Sequence, residues 1–97
     1  MKEPLRGERT PATILNVNDR EPSRYFVSRV LKNAGYRVLE ASTGSDAIDC
    51  ARTGRPDLII LDIKLPDIDG MEVCRRLKAD AATASMLILH TSATYAS

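Results

Sequence analysis

The chain alternates short apolar runs with longer segments that carry a single apolar stripe. Four short runs rich in aliphatic residues are typical of buried strands, and they cover residues 13–17, 36–41, 57–61 and 86–89. Three segments between them repeat apolar residues at spacings of three and four, which predicts helices with one apolar face. Because strand and helix alternate with short connections, the pattern predicts an α/β fold, with a parallel sheet, right-handed crossovers and helices on both faces.

Proline and polar residues mark where the three predicted helices begin. Pro22 suits the first turn of the first helix. Thr43, with Asp46 three residues later, resembles a capping box for the second helix. Asp69 and Glu72 can cap the third helix in the same way. The predicted inner faces consist of residues 27, 30, 31 and 34 in the first helix, 44, 47, 48 and 51 in the second, and 73, 74 and 77 in the third.

Length and composition indicate one small globular domain. The 97 residues carry a net charge of +1, so no strong positive field favours nucleic acid or an anionic membrane as a partner. No apolar run approaches the roughly 18 residues that a membrane-spanning helix needs. Residues 1–11 are polar and lack the apolar stretch of a signal peptide. We interpret them as a leader or linker that precedes a domain at residues 12–97.

The two cysteines indicate a cellular compartment and do not indicate a metal site. Cys50 and Cys74 lie within helical patterns and lack the spacing of metal ligands. We therefore expect two buried thiols in a reduced, cytoplasmic protein.

Asp62 ends the apolar run of the third strand and is the strongest candidate for a functional residue. An ionised side chain is rarely placed on a buried strand unless something pairs with it or uses it. In open parallel sheets, binding sites form at the edge where the carboxyl ends of the strands meet. Asn18 and Asp19 follow the first strand, and Thr91 follows the fourth. We therefore expect these side chains to converge around Asp62, although they are distant in the sequence.

Four segments closely resemble the receiver domain of two-component response regulators. They are residues 14–19, 56–62, 65–74 and 90–93, and the similarity extends from about Thr13 to the end of the chain. A strand ending in aspartate, followed by Leu-Pro-x-x-Asp-Gly, is highly specific when acids lie upstream and a threonine downstream. The resemblance implies a flavodoxin-like (CheY-like) doubly wound parallel sheet with strand order 2-1-3-4.

The resemblance also implies a role for each residue at this edge. Asp62 would accept a phosphoryl group from a phosphohistidine on a histidine kinase or a histidine phosphotransfer protein. Mg²⁺ would be held by the carboxylates of Asp19 and Asp62 and by the backbone carbonyl of Lys64, with Asn18 contributing through water. Thr91 would contact a phosphoryl oxygen and move inward, which starts the conformational switch. The oxygen ligands agree with the preference of Mg²⁺ for hard donors.

Several of these residues have simpler explanations. Asp19 could only cap the first helix, and Thr91 could be an ordinary hydroxyl at a strand end. Asp67 and Asp69 suit turn and cap positions better than ligand positions, with Gly70 then starting the third helix where backbones approach closely. His90 is expected to pack beside the site and not to donate a phosphoryl group. The side chain of Lys64 should point outward, and the pair at 75–76 fits a solvated helix face.

The sequence departs from the family pattern in two respects. Asn18 stands where the family usually has the first of two adjacent acids, so weaker Mg²⁺ binding is expected. The sequence ends at Ser97, whereas the family continues through a helix, a fifth strand, the site lysine and a last helix. On that basis we expect slower phosphotransfer. We also expect self-association through an exposed fourth strand, or else that the sequence is a piece of a longer receiver, such as one carried by a hybrid histidine kinase.

Two functions from different classes remain open on the sequence. The first is a phosphoacceptor in a two-component phosphorelay, which is a signalling switch and not an enzyme. The alternative is a degenerate receiver that binds proteins without being phosphorylated, an interpretation favoured by Asn18 and the absent lysine. An aspartyl-phosphate hydrolase is disfavoured, because Lys64 occupies the position where such enzymes place their second aspartate. A flavin or nucleotide site is also disfavoured, because no glycine-rich phosphate loop follows the first strand.

Overall fold

A computed structural model of the chain describes residues 10–91. Within them, four parallel strands form one sheet in the order β2-β1-β3-β4, and three helices connect them, which confirms the predicted fold. The elements are β1 Thr13–Val17, α1 Glu21–Asn33, β2 Arg37–Ala41, α2 Gly44–Gly54, β3 Leu58–Asp62, α3 Gly70–Ala79 and β4 Leu87–Thr91. The flanking segments 1–9 and 92–97 lie outside the described residues.

Three strands differ from their predicted bounds by one or two residues. β2 begins at Arg37, because the N–H of Tyr36 donates to the carbonyl of Leu31 and so belongs to the end of α1 (3.1 Å). Asp57 precedes β3 and anchors it, since its carboxylate accepts a hydrogen bond from the N–H of Thr13 (2.8 Å). β3 and β4 both run further than expected, so each strand includes its polar last residue.

The predicted helix caps are present. Pro22 lies in the first turn of α1. The Oγ1 atom of Thr43 accepts a hydrogen bond from the N–H of Asp46 at 3.0 Å, and Oδ1 of Asp69 accepts one from the N–H of Glu72 at 2.9 Å. Each of these hydrogen bonds satisfies a donor that has no acceptor within its own helix.

The core lies between the sheet and the pair α2 and α3. Its buried members come from the inner strands and from one face of each helix, as the apolar stripes of α2 and α3 predicted. They are Leu15, Val17, Ala41, Ala47, Ile48, Ala51, Ile59, Leu61, Val73, Leu77 and Met86. Cys50 and Cys74 are free thiols, as predicted, but both are only half-buried, so the prediction that they are buried is wrong. Burial, with help from Asp46 and Asp49, raises the pKa of the Cys50 thiol.

The opposite face of the sheet is covered less completely. α1 packs on β1 and β2, and Ser28 is its only buried residue. The predicted apolar stripe of α1 is therefore only partly buried: Val27 is half-buried, whereas Val30 is 50% exposed. Leu87 and Leu89 of β4 are also exposed, at 68% and 54%. None of the helices within residues 10–91 is long and apolar enough to cross a membrane.

Candidate functional site

The carboxyl ends of β1, β3 and β4 bring the predicted site residues to one edge of the sheet. Val17 pairs with Leu61 in the β1–β3 register, so Asn18 and Asp19 leave β1 beside the end of β3. On the other side, Asp62 pairs directly with Thr91. The structure therefore juxtaposes residues that are up to 73 positions apart in sequence (91 minus 18).

Asp62 is a buried carboxylate with few protein partners. It is 3% exposed, and its Oδ1 atom accepts a hydrogen bond from the N–H of Lys64 at 3.2 Å. None of the ion pairs within residues 10–91 involves Asp62. A buried charge without a counter-charge is unfavourable, because desolvation is not offset. The arrangement suits a carboxylate that binds a cation.

The β1–α1 connection leaves the Asp19 side chain exposed. Arg20 occupies the N-cap position of α1 and makes no side-chain capping hydrogen bond. The Oδ1 atom of Asn18 accepts a hydrogen bond from the N–H of Arg20 at 2.9 Å. The suggestion that Asp19 caps the first helix is therefore wrong, because the local turn is held by Asn18.

A polar network beneath α1 fixes this connection, and the sequence interpretation missed it. The Nη1 atom of Arg24 donates to the carbonyl of Asn18 at 2.9 Å, and its Nε lies 3.8 Å from Oε1 of Glu40. Buried Asn16 donates from Nδ2 to Oγ of Ser28 and to the carbonyl of Arg24, both at 3.0 Å. Ser28 in turn donates to Glu40. An asparagine within the first apolar run was the sequence signal for this network.

The connection from β3 to α3 folds back closely on Asp62. The N–H of Gly70 donates to the carbonyl of Ile63 at 2.7 Å. A Cβ atom at Gly70 would lie 2.5 Å from the carbonyl oxygen of Asp62, so no larger residue fits without a shift of the backbone. This agrees with the expected close approach. Within the connection the side chain of Lys64 is exposed, as predicted.

Asp67 and Asp69 both bind backbone N–H groups at helix starts. Asp69 caps its own helix, as described above. Asp67 reaches across to α2, where its Oδ1 accepts from the N–H of Gly44 at 2.7 Å and its Oδ2 from the N–H of Ser45 at 2.9 Å. These two hydrogen bonds lower the pKa of the Asp67 carboxyl.

Thr91 is exposed and lines an open cavity of about 200 Å³ beside α1. The other residues around the cavity are Asn16, Val17, Asn18, Ser23, Val27 and Ile60. His90 precedes Thr91, pairs with Leu61 and is half-buried. Its Nδ1 atom has no hydrogen-bond partner within the described part of the chain. This position next to the site agrees with a packing role for His90.

The donors expected from the sequence are oxygen atoms of the kinds that suit a hard divalent cation. They are the carboxylates of Asp19 and Asp62 and the backbone carbonyl of Lys64, which are ligand types that Mg²⁺ accepts. No group of three or more His, Cys, Asp or Glu side chains within residues 10–91 is arranged to hold a metal. A cation at Asp62 would therefore depend on backbone and water ligands, in keeping with the waters that Mg²⁺ usually retains.

A second concave surface lies elsewhere, between α2 and α3. This open groove of about 680 Å³ includes Arg52, Arg75 and Arg76 among its lining residues. All three arginines are paired, with Asp80 in the first case and Glu72 in the other two. The paired, exposed state of residues 75–76 agrees with a solvated helix face.

Comparisons with known proteins agree with the geometry. A family model described as the response regulator receiver domain matches residues 14–96. The probable transcriptional regulatory protein TcrX of Mycobacterium tuberculosis is 36% identical over 84 residues, which cover 87% of this chain and 36% of that protein. The alkaline phosphatase synthesis transcriptional regulatory protein PhoP of Bacillus subtilis is 41% identical over 76 residues, covering 78% of this chain and 32% of that protein.

Longer relatives and solved structures extend the comparison. Histidine kinase P4 of Formosa agariphila is 38% identical over 91 residues, which cover 93% of this chain and 7% of the kinase. This chain thus spans 36% or less of the length of these three relatives. The N-terminal domain of a response regulator receiver protein from Methanoculleus marisnigri has a TM-score of 0.81 at 32% identity, with 84% of this chain and 66% of that chain covered. Chemotaxis protein CheY4 of Vibrio cholerae has a TM-score of 0.80 at 31% identity, with coverages of 90% and 76%.

Proposed function

The chain belongs to the response regulator receiver domain family, and we propose that it acts as a phosphoacceptor in a two-component phosphorelay. Asp62 would receive the phosphoryl group from a phosphohistidine on a histidine kinase or a histidine phosphotransfer protein. The observation that carries this proposal is the buried Asp62 carboxylate, which lies at the end of an inner strand without a basic partner among residues 10–91. The domain that performs this role would correspond to residues 12–97, with 1–11 as a leader or linker.

The transfer uses the chain's own groups in a simple way. An oxygen of the Asp62 carboxylate attacks phosphorus, the phosphorus–nitrogen bond of the phosphohistidine breaks, and the imidazole nitrogen leaves with the bonding electrons. Thr91, which is the register partner of Asp62, would donate its hydroxyl to a phosphoryl oxygen. This makes the domain a signalling switch and not an enzyme that turns over a substrate.

We propose that Mg²⁺ is the cofactor of this transfer. Asp19, Asp62 and the carbonyl of Lys64 would hold it, with Asn18 contributing through water. When bound, a divalent cation offsets the repulsion between a carboxylate and the phosphoryl oxygens. The exposed side chain of Asp19 and the one-sided hydrogen bonding of Asp62 support this ligand set.

The partners and the location follow from the same chemistry. The donor would be a cytoplasmic histidine kinase or phosphotransfer protein, and the two free thiols are compatible with a reducing compartment. The match within a histidine kinase supports a hybrid histidine kinase as the parent protein, and the matches to transcriptional regulators support a response regulator as the alternative parent. The proposal includes no nucleic acid or membrane contact by this domain itself.

We also propose that a second copy of the chain pairs along β4. This strand is at the edge of the described sheet, and it contains no charged residue that would discourage pairing. The high exposure of Leu87 and Leu89 supports such an association.

The alternative function is a protein-binding module that works without phosphorylation. One observation favours it: the side-chain oxygen of Asn18 is already engaged by the N–H of Arg20 at 2.9 Å. An oxygen held in this way is a poorer ligand than a second carboxylate would be. In that case partners would recognise the surface around the site, and Asp62 would stay unmodified.

Labelling with a small phosphodonor separates the two functions. The purified chain is incubated with acetyl phosphate, with and without Mg²⁺, and its intact mass is measured. The proposal predicts one phosphoryl group, dependent on Mg²⁺, that is absent from Asp62→Asn. Asp49→Asn is the matched control, because Asp49 is an exposed helix residue away from the strand ends, and this variant should label like the native chain. No labelling of a folded native chain would favour the binding module.

A further inference from the structure

The connection between β3 and α3 is tied to a distant helix by Asp67. Its two carboxylate oxygens accept hydrogen bonds from the N–H groups of Gly44 and Ser45, 23 and 22 residues away in sequence. The first N–H groups of a helix have no acceptor within that helix, and its N-terminus favours a negative charge. The side chain of Thr43 binds the N–H of Asp46, and its carbonyl binds the N–H of Ala47, so Thr43 leaves the N–H groups of Gly44 and Ser45 to another acceptor. Asp67 therefore completes the N-terminus of α2 from another part of the fold.

Two glycines allow this contact. A Cβ atom at Gly44 would lie 2.6 Å from Cγ1 of Ile68 and 2.8 Å from Cγ2 of Val73, so the connection packs against the bare backbone of α2. At the far end of the connection, Gly70 packs under the carbonyl of Asp62, as described above. The connection is thus held at one end by Gly70 and in its middle by Asp67 and Gly44.

Lys64 lies in the part of the connection between Asp62 and these anchors. Its N–H donates to Oδ1 of Asp62, and its carbonyl is the proposed backbone ligand of the cation. No described hydrogen bond from the Lys64 side chain holds the residue in place. The backbone at Lys64 therefore lies between two attachments, which are its own N–H bond to Asp62 at the end of β3 and the Asp67 anchor three residues later.

We propose that Asp67 is a positioning residue of the phosphoacceptor site. By binding the α2 N-terminus through two charge-assisted hydrogen bonds, it fixes the connection so that Lys64 meets both Asp62 and the cation. This inference rests on the proposed function, because the proposed function requires a cation site and Asp67 is assigned a role in shaping it. Asp67 itself touches neither the cation nor the phosphoryl group.

Asp69 provides a matched control on the same connection. It also accepts a backbone hydrogen bond at a helix start, from the N–H of Glu72 at 2.9 Å, and it is likewise exposed. Its partner, however, is in its own helix, so its loss weakens α3 without releasing the connection from α2. If both residues only stabilised a helix, replacing either one would lower the stability of the fold, and the two replacements would not differ in their effect on Mg²⁺ affinity.

The test is the Mg²⁺ affinity of Asp67→Ala and Asp69→Ala, measured by titration of backbone amide signals in nuclear magnetic resonance. Both variants should have a lower Tm, whereas the Mg²⁺ affinity should fall about tenfold for Asp67→Ala and stay unchanged for Asp69→Ala. Asp67→Glu, which can restore the charge, should recover part of the affinity. With acetyl phosphate, saturating Mg²⁺ should restore most of the labelling rate of Asp67→Ala. If Asp67→Ala does not fold, Asp67→Asn replaces it with the same expectation.

The outcomes that overturn the inference differ from those that overturn the proposed function. Equal Mg²⁺ affinities of the two alanine variants, or a native chain that takes up no Mg²⁺, would overturn the positioning role. A native chain that binds Mg²⁺ but accepts no phosphoryl group would overturn the proposed function alone. In that case the comparison of the two variants still decides whether Asp67 positions the cation site.

Discussion

Asp62 and Thr91 are direct register partners at the ends of β3 and β4. The pairing continues one step further, since the N–H of Ile63 donates to the carbonyl of Thr91 at 3.1 Å. This backbone contact holds the hydroxyl-bearing residue next to the buried carboxylate, independently of either side chain. If Asp62 accepts a phosphoryl group as proposed, that group would lie beside a residue whose backbone is already fixed.

Replacing Thr91 with valine tests the contribution of that hydroxyl. Valine keeps the shape and the strand preference of threonine, so the fold should be retained. Because one hydrogen-bond donor to the transferring group is lost, the rate of labelling by acetyl phosphate should fall by on the order of a hundredfold. Thr53→Val, at an exposed threonine of α2, is the control and should label at the native rate. Equal labelling rates for the two variants would show that the Thr91 hydroxyl does not contribute to the transfer.

Changing Asn18 to aspartate should strengthen Mg²⁺ binding several-fold. The new carboxylate adds a negative charge next to Asp19, and hard cations bind more tightly to sites with more charged oxygen ligands. The measurement is a Mg²⁺ titration of the variant beside the native chain. Asn33→Asp, which makes the same change in net charge at the end of α1, controls for a general field effect. If Asn18→Asp and the native chain bind with the same affinity, Asn18 does not limit the site.

Glu72 should make the stability depend on pH in the acidic range. Hydrogen bonds from Arg75 and then Arg76 lower the pKa of the Glu72 carboxyl from 4.5 to about 2. A carboxyl whose pKa is lower in the folded state stabilises the fold above its unfolded pKa, and this contribution is lost as the pH falls through the folded pKa. Glu72→Gln should therefore have a lower free energy of unfolding than the native chain at pH 7.

Denaturant unfolding of both chains between pH 7 and pH 2 checks this prediction. The difference between them should shrink as the pH falls from about 4.5 towards about 2, because the native carboxylate then becomes protonated. Glu21→Gln, which removes an exposed carboxylate from the first turn of α1, is the control for the change in net charge. A difference that does not vary with pH would show that the arginine contacts contribute no stability.

Association through β4 predicts a mass that depends on concentration. The native chain should sediment increasingly as a dimer at micromolar concentrations, and Leu87→Lys should shift it to monomer, because a charge on an edge strand discourages pairing. Met71→Lys places the same charge at an apolar residue of α3 that is also exposed, at 59%, and should leave the dimer intact. A native chain that stays monomeric throughout, or one that both substitutions dissociate equally, would rule out the β4 contact.

The sequence predicted the elements of this fold because their signals are local. Alternation of apolar runs, the caps at Thr43 and Asp69, and the close approach at Gly70 all depend on a few adjacent residues. The convergence of Asp62 and Thr91 was also predictable, because parallel strands necessarily end at the same edge of a sheet. These local and topological signals were sufficient to find the candidate site.

Contacts between a side chain and groups that are distant in the chain could not be predicted from the sequence. Asp67 was correctly interpreted as a turn residue, but nothing local indicates that it binds the start of α2, 23 residues earlier. The network of Arg24, Ser28 and Glu40 was missed for the same reason, since it joins a helix to two strands. The burial of α1 was overestimated, because an apolar stripe shows which face seeks cover but not what covers it.

Locating the phosphoryl group in the labelled chain tests directly whether Asp62 is the phosphoacceptor. An aspartyl phosphate is an acyl phosphate, so borohydride reduces it to homoserine, which marks the modified position for tandem mass spectrometry. After labelling with acetyl phosphate and Mg²⁺, homoserine should form at position 62 and at no other aspartate. Homoserine at Asp19 or at another carboxylate, with Asp62 unmodified, would contradict the assignment of Asp62 as the phosphoacceptor.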